Sequence, residues 1–92
     1  MLERTVTIRN ALGLHARAAA RFVHAAGAFQ CRVTVAREDG GDRQVDGKSI
    51  LGLLLLSAAR GVSIRITADG SDEAAAIGAL CRLVETGFGE EA

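Results

Sequence analysis

The sequence lacks an excess charge of either sign, a long apolar run and a cysteine pair at metal-binding spacing. Its 11 basic residues balance its 11 acidic residues, whereas nucleic-acid-binding proteins normally carry a clear basic surplus. No apolar run approaches the roughly 18 residues that a membrane-spanning helix needs, and the first residues lack the apolar core of a signal peptide. We therefore expect a cytoplasmic protein that binds neither nucleic acid nor membrane.

The cysteines and histidines predict no metal site. Cys31 and Cys81 stand far apart in the chain and match no zinc or redox spacing. We expect two reduced, partly buried thiols. His15 and His24 have no cysteine or carboxylate partner nearby in sequence, so the sequence predicts no metal and no cofactor.

The composition and periodicity predict one α/β domain over residues 1–92. The chain is 49% hydrophobic and 24% charged, as expected for a globular domain with one modest core. Alternating apolar and polar residues predict strands at 5–8, 31–35, 43–45 and 62–67, and helical spacing predicts helices at 16–26, 48–59 and after residue 73. The order β-α-β-β-α-β-α indicates a two-layer, open-faced sandwich whose second sheet face lies in water.

Helical spacing also predicts which side chains are buried. The first helix should bury a stripe of Ala19, Phe22, Val23 and Ala26. The last helix should begin at a cap supplied by Ser71, bury Ile77, Leu80 and Val84, and stop at Gly87. The remaining segment, Phe88–Ala92, is expected to be a short acidic tail.

The stretch from Gly13 to Ala20 carries the strongest functional signal. His15 precedes the first helix, where unpaired backbone amides and a partial positive charge favour a bound anion. Arg17 adds a fixed cation able to hold phosphate oxygens. A nucleophilic histidine beside an anion site suits a phosphoryl group, although histidines at helix starts also serve as caps or surface residues. His24 lies about 200° from Phe22 around the helix and should face water.

The second predicted helix carries more aliphatic side chains than one buried face accommodates. Ser49 is placed as its N-cap. We expect Leu53 and Leu56 to enter the core. The exposed remainder, a candidate partner surface, is Ile50, Leu51, Leu54 and Leu55. A helix buried on all sides is the alternative, and it requires a larger core than 92 residues provide.

Two motifs resemble those of a known family. Gly13-Leu14-His15-Ala16-Arg17, followed by an apolar run and Phe22-Val23, resembles the active-site signature of the histidine-containing phosphocarrier (HPr) family. The run Val45–Leu53 resembles the second signature of that family. The resemblance covers nearly the whole chain and implies an antiparallel sheet in the order 1-4-2-3 with three helices on one face. One position departs, because the family usually has proline where this chain has Ala18.

The resemblance implies a phosphoryl carrier rather than a free-standing enzyme. His15 would accept a phosphoryl group from enzyme I on its Nδ1 atom and donate it to an enzyme IIA domain. The Arg17 side chain and the backbone amides of Ala16 and Arg17 would stabilise the phosphate. Docking would use the starts of the first two helices, through Leu14, Lys48, Ile50, Leu51, Leu54 and Leu55.

The resemblance also implies possible regulation. In many members of the family the serine that matches Ser49 is phosphorylated by a dedicated HPr kinase/phosphorylase. Added charge at a helix N-terminus need not unfold the helix, so such a switch would repel a partner. We expect a monomer. Both sugar-type and nitrogen-type carriers remain open.

A small regulatory or ligand-binding βαβ module without phosphotransfer activity is the alternative hypothesis. A metallochaperone would need a Cys-x-x-Cys motif where this chain has Leu12-Gly13-Leu14-His15. An acylphosphatase-like enzyme would need an arginine and asparagine cradle after the first strand, and that pattern is absent from the sequence.

Overall fold

Four short strands form one antiparallel sheet, and three helices pack on one of its faces. The structure, a computed structural model, describes residues 1–40 and 43–90. Its elements in chain order are β1 (Leu2–Thr7), α1 (Ala16–Gly27), β2 (Arg32–Arg37), β3 (Gln44–Asp46), α2 (Ile50–Leu55), β4 (Ser63–Asp69), α3 (Glu73–Glu85) and a 3₁₀ turn (Gly87–Gly89). The strand order β1-β4-β2-β3 confirms the predicted sheet.

The two sheet faces differ because successive side chains of a strand point to opposite sides. Val35 of β2 lies opposite Ile66 of β4, and both are buried beneath the helices. The next pair, Thr34 and Thr67, lies on the other face and is half-exposed. One face therefore closes a single hydrophobic core, and the other stays in water as predicted.

The predicted apolar stripes of the helices are confirmed. In α1 the side chain of Phe22 is fully buried together with Ala19 and Ala26, while Val23 is half-buried. In α3 the three predicted positions, Ile77, Leu80 and Val84, are all buried. Burial of a large apolar side chain contributes about 1.5–3 kcal/mol, so these stripes determine how α1 and α3 attach to the sheet.

Helix α2 is shorter than predicted. The periodicity predicted 48–59, but the helix spans Ile50–Leu55. The chain leaves the helical conformation at Ser57, whose φ is 51°. The two carbonyls that follow the helix are bonded from another element, because the Arg37 guanidinium donates to the oxygens of Leu56 at 3.2 Å and Ser57 at 3.1 Å. A tertiary contact has therefore replaced the next helical amides.

The predicted serine cap of α3 is wrong. The N-cap position belongs to Asp72 rather than Ser71, and its side chain makes no capping bond to the helix. The Asp72 carboxylate instead accepts hydrogen bonds from the backbone amides of Gln30 at 2.7 Å and Cys31 at 3.0 Å. These bonds, led by that from Gln30, hold the pKa of Asp72 below its usual value. Asp72 therefore links the start of α3 to the segment immediately before β2.

The segment after α3 is not a free acidic tail. It forms the 3₁₀ turn, and the side chain of Phe88 is 1% exposed. Phe88 adopts a left-handed φ of 59°, and its carbonyl accepts a hydrogen bond from the Arg21 guanidinium at 2.5 Å. Residues 91–92 of the predicted tail lie outside the described residues. The sequence pattern failed here because a single buried aromatic gives no periodicity.

Both cysteines are free and more deeply buried than expected. Cys31 and Cys81 belong to the core and form no disulfide. Burial raises the pKa of both thiols above the usual value, so neither is an activated thiolate. Across residues 1–40 and 43–90, no helix has both the length and the apolar character needed to cross a membrane.

Substitution of Ala18 by proline tests the start of α1. The first amide bonded within the helix is that of Ala19, which donates to the His15 carbonyl at 2.8 Å. The amide of Ala18 therefore precedes the helical ladder, and proline removes no backbone bond there. We expect Ala18→Pro to melt at the same temperature or higher, because proline restricts the unfolded chain by about 0.4–1 kcal/mol.

Calorimetry of the variant and of a matched control measures this effect. Ala20→Pro, one turn into α1, removes a helical bond and should destabilise the protein by about 3 kcal/mol. A fall in melting temperature for Ala18→Pro comparable to that of Ala20→Pro would contradict the observed helix start.

Candidate functional site

A tight turn before α1 places the candidate histidine. Gly13 has a φ of 68°, and a Cβ atom built on it would lie 2.7 Å from the Ala58 carbonyl oxygen and 2.8 Å from the Ala59 Cα. No other residue fits this approach without moving the backbone. Glycine is therefore required here both by conformation and by contact with the segment that follows α2.

The next residue fixes this contact and corrects one prediction. The backbone amide of Leu14 donates to the Ala58 carbonyl at 2.8 Å. The Leu14 side chain is buried in the core, so it does not belong to the predicted docking surface. Its burial and its backbone bond together hold the turn against the end of α2.

His15 is the N-cap residue of α1. Its backbone is extended, with φ −81° and ψ −179°, and its Nδ1 atom accepts a hydrogen bond from the backbone amide of Arg17 at 3.2 Å. The imidazole thus occupies the place where a serine or aspartate side chain usually caps a helix. The capping role is therefore compatible with the predicted phosphoryl role, because the cap directs Nδ1 at the helix N-terminus.

The other ring nitrogen meets a carboxylate from the far end of the chain. The Nε2 atom of His15 lies 2.5 Å from Oε2 of Glu90, although the two residues are 75 positions apart. The other carboxylate oxygen, Oε1, accepts a hydrogen bond from Nδ2 of Asn10 at 2.9 Å. No local signal in the sequence pointed to Glu90, which lay in the predicted tail.

These bonds make Glu90 a firmly held anion. The hydrogen bond from Asn10 and then the bond to His15 hold the pKa of the Glu90 carboxyl below its usual value. Asn10 is itself buried and donates from the same Nδ2 atom to the Gly13 carbonyl at 2.7 Å. The turn, the histidine and the chain after α3 therefore form one connected site.

The hydrogen bonds specify the tautomer of the imidazole. A backbone amide can only donate, so the Arg17 amide requires a lone pair on Nδ1. An ionised carboxylate can only accept, so the proton lies on Nε2 and is donated to Glu90. The ring therefore presents a nucleophilic lone pair at Nδ1, on the side where the amides of α1 offer positive charge.

His24 faces water as the sequence predicted, and Arg17 lies at the start of α1. The side chain of Arg17 is exposed next to His15, and its backbone amide already contacts the ring. His24 is exposed near the other end of α1. Because α1 is 12 residues long and rises about 1.5 Å per residue, the two histidines cannot act on one ligand.

The aliphatic side chains of α2 divide between core and surface. Leu53 and Leu56 are buried as predicted. Three others, which we call the leucine patch, are exposed: Ile50, Leu51 and Leu55. Leu54 is half-buried against the core, so it contributes less surface than predicted. Leu12, in the loop before His15, is 72% exposed and was missed because one leucine in a loop has no periodic pattern.

Ser49 is the N-cap of α2, as predicted. Its Oγ atom accepts a hydrogen bond from the Gly52 amide at 3.0 Å. The neighbouring side chain of Lys48 is half-buried and donates from Nζ to the Phe29 carbonyl at 2.7 Å. The Lys48 ammonium is therefore bonded to the loop that joins α1 and β2 and does not extend into solvent.

Known proteins place the chain in a family. Residues 2–86 match the family model described as "PTS HPr component phosphorylation site". The phosphocarrier protein HPr of Neisseria meningitidis serogroup A is 46% identical over 90 residues, covering 98% of each chain. The phosphocarrier protein NPr of Shewanella violacea is 42% identical over 89 residues, covering 97% of this chain and 94% of that protein.

Solved structures agree with this assignment. HPr-C-His from Thermoanaerobacter tengcongensis overlays with a TM-score of 0.91 at 41% identity and full coverage of both chains. An HPr dimer from the same organism overlays with a TM-score of 0.74 at 41% identity, covering 98% of this chain and 100% of that one. The fold, both sequence signatures and these relatives agree: the chain belongs to the HPr family, the phosphocarriers of the phosphotransferase system.

Proposed function

We propose that His15 carries the phosphoryl group on Nδ1, accepting it from enzyme I and donating it to an enzyme IIA domain. The observation that carries this proposal is the hydrogen bond from the Arg17 amide to Nδ1. It directs the unprotonated nitrogen of the ring at a helix N-terminus, where a phosphate is favoured. No observation favours the regulatory module without phosphotransfer.

The transfer needs little chemistry beyond positioning and charge. The Nδ1 lone pair attacks the phosphorus of the phosphohistidine on enzyme I, and the Nδ1–P bond forms as the donor N–P bond breaks. The electron pair of the broken bond returns to the donor nitrogen. The Arg17 amide then exchanges its bond to Nδ1 for a bond to a phosphoryl oxygen, joined by the Ala16 amide and the Arg17 guanidinium. Reversal of these steps on enzyme IIA discharges the carrier.

The leucine patch supplies the docking surface for enzyme I, with Leu54 and Lys48 at its margin. Helices α1 and α2 pack against each other, and the turn bearing His15 is bonded to the segment after α2. A partner seated on exposed leucines therefore reaches the histidine without the protein changing shape. We infer that residues 1–92 form one domain and that the protein acts in the cytoplasm as a monomer.

Ser49 is a regulatory site for an HPr kinase/phosphorylase in this proposal. Its Oγ atom already accepts a hydrogen bond from the Gly52 amide. A phosphate on that atom would be stabilised by the same amides at the start of α2. The helix therefore tolerates the modification, while two negative charges enter the docking surface. Repulsion of an acidic partner surface is the expected effect.

Incubation with enzyme I and phosphoenolpyruvate should add one acid-labile phosphoryl group to the protein. The group should be absent from His15→Ala and retained in His24→Ala, because only His15 directs a lone pair at a helix N-terminus. Intact-mass spectrometry before and after acid treatment measures both. Phosphate found on His24 would falsify the assignment. Transfer from the labelled protein to purified sugar-type and nitrogen-type enzyme IIA domains then identifies the acceptor.

Charged substitutions in the leucine patch should weaken docking without unfolding the protein. Leu51 is 68% exposed in the first turn of α2 and Leu55 is 54% exposed at its end. Leu51→Glu and Leu55→Lys each place a charge where it suits the helix dipole, so stability should change by less than about 0.5 kcal/mol. Each should raise the enzyme I concentration for half-saturation about tenfold, because an apolar contact is lost.

Steady-state phosphorylation rates and thermal melts separate docking from folding. Leu2→Glu places a charge at another exposed leucine, 41% accessible and on the edge strand β1; this control should behave like the wild type. Wild-type kinetics in both patch variants would rule out this surface, since their charges are opposite and cannot both be compensated by one partner charge.

Aspartate at position 49 should slow the phosphorylation of His15. Aspartate and asparagine are both good N-caps, so Ser49→Asp and Ser49→Asn should retain the fold and differ only in charge. We expect phosphorylation by enzyme I to be about tenfold slower in the aspartate variant and unchanged in the asparagine variant, because like charges across an interface are strongly unfavourable. Equal rates in the two variants would leave Ser49 as a cap alone.

A further inference from the structure

We infer that Glu90 is a positioning residue for phosphoryl transfer, because its carboxylate keeps the proton on Nε2 of His15 in both the free and the phosphorylated state. The inference rests on the proposed role of His15. It assigns a function to the segment after α3, which neither sequence signature contains.

The contact between His15 and Glu90 is partly buried and held by several attachments, unlike an ordinary surface ion pair. The side chains of His15 and Glu90 are 24% and 14% exposed, and their polar atoms lie 2.5 Å apart. The Glu90 backbone is held on the protein as well, because its amide donates to the Gly87 carbonyl at 3.0 Å. Between Gly87 and Glu90, the side chain of Phe88 is buried and its carbonyl accepts a hydrogen bond from Arg21. A surface ion pair between freely rotating side chains would lack these attachments.

Asn10 supplies independent support. It is 3% exposed, and its Nδ2 atom donates both to the Gly13 carbonyl and to Oε1 of Glu90. Its Oδ1 atom is buried with no hydrogen-bond partner within residues 1–40 and 43–90. A flipped amide would turn that oxygen towards two acceptors, so the orientation is fixed. A buried oxygen without a hydrogen-bond partner destabilises the fold. Here the amide orientation that leaves this oxygen unpaired is the one that binds the Glu90 carboxylate.

The chemistry explains why the proton must stay on Nε2. When Nδ1 attacks phosphorus, its lone pair becomes the N–P bond and the ring becomes a protonated phosphoimidazolium. The Glu90 carboxylate lies against the nitrogen that shares this positive charge. On discharge the N–P electrons return to Nδ1, the proton remains on Nε2, and a neutral imidazole leaves. Without that proton the leaving group would be an imidazolate anion, which is far more basic and leaves more slowly.

Other charges near the ring make the contribution of Glu90 distinct. Arg17 and Arg21 are cations of α1, Arg21 acts electrostatically on Glu90, and the Glu90 carboxylate is bonded to the ring. Positive charge near the ring disfavours its protonation, and the Arg21 guanidinium is already bonded to the Phe88 carbonyl. Among residues 1–40 and 43–90, Glu90 is the carboxylate that accepts a hydrogen bond from Nε2, so its contribution differs in sign from that of the arginines.

Glu90→Gln, Glu90→Ala and Glu85→Gln test this inference in the full chain. Glu85 is the exposed last residue of α3, so its substitution removes the same charge without touching the ring. At saturating enzyme I the two Glu90 variants should be phosphorylated about tenfold more slowly with an unchanged half-saturating concentration, because one charged hydrogen bond in the transition state is lost. Glu85→Gln should match the wild type.

Two further measurements separate positioning from a merely structural role. The rate of phosphoryl donation should begin to fall at lower pH in the Glu90 variants than in the wild type, since the phosphorylated ring loses its Nε2 proton more easily. In the unphosphorylated wild type, NMR should show a slowly exchanging, downfield proton on Nε2 that is absent from Glu90→Ala.

The possible failures are distinguishable. If wild type and variants are phosphorylated at equal rates with superimposable pH profiles, the role of Glu90 is overturned while the phosphocarrier function stands. If the Glu90 variants change only the half-saturating concentration, Glu90 contributes to docking and the inference is equally wrong. If no protein in the series is phosphorylated, the proposed role of His15 itself fails.

Discussion

The approach of Gly13 to the segment after α2 is the constraint on which the site depends. A Cβ atom at position 13 would collide with backbone atoms of Ala58 and Ala59, and the following amide is bonded to the Ala58 carbonyl. This contact sets the direction in which the chain enters α1. Because His15 comes two residues later, the same contact decides that its ring, and no other side chain, caps the helix.

The parts of the structure that sequence could predict are those with local causes. A histidine after Gly-Leu and before an apolar helix sits at a helix start because the residues that form the turn and the stripe are its neighbours. Ser49 is likewise placed by the residues next to it. Strand alternation, together with the resemblance to the HPr family, was sufficient for the fold and for the strand order that the structure confirms.

The parts that could not be predicted have distant causes. Helix α2 ends early where Arg37, from another element, supplies donors to the two carbonyls that follow it. Asp72 leaves its helix uncapped to bind the amides of Gln30 and Cys31. Glu90 meets His15 across 75 positions. In each case a polar side chain bonds a partner that only the tertiary fold brings near. Hydrophobic periodicity and residue preferences in the sequence do not reveal that partner.

The contact between His15 and Glu90 also has a consequence for biosynthesis. A ribosome makes the histidine near the beginning of the chain and the carboxylate 75 residues later, so the strands and helices between them must be synthesised before the two can meet. Any chain shortened from its carboxyl end by proteolysis or premature termination before residue 90 retains the histidine but lacks its partner. The order of synthesis therefore makes this pair among the last contacts of the nascent protein to form.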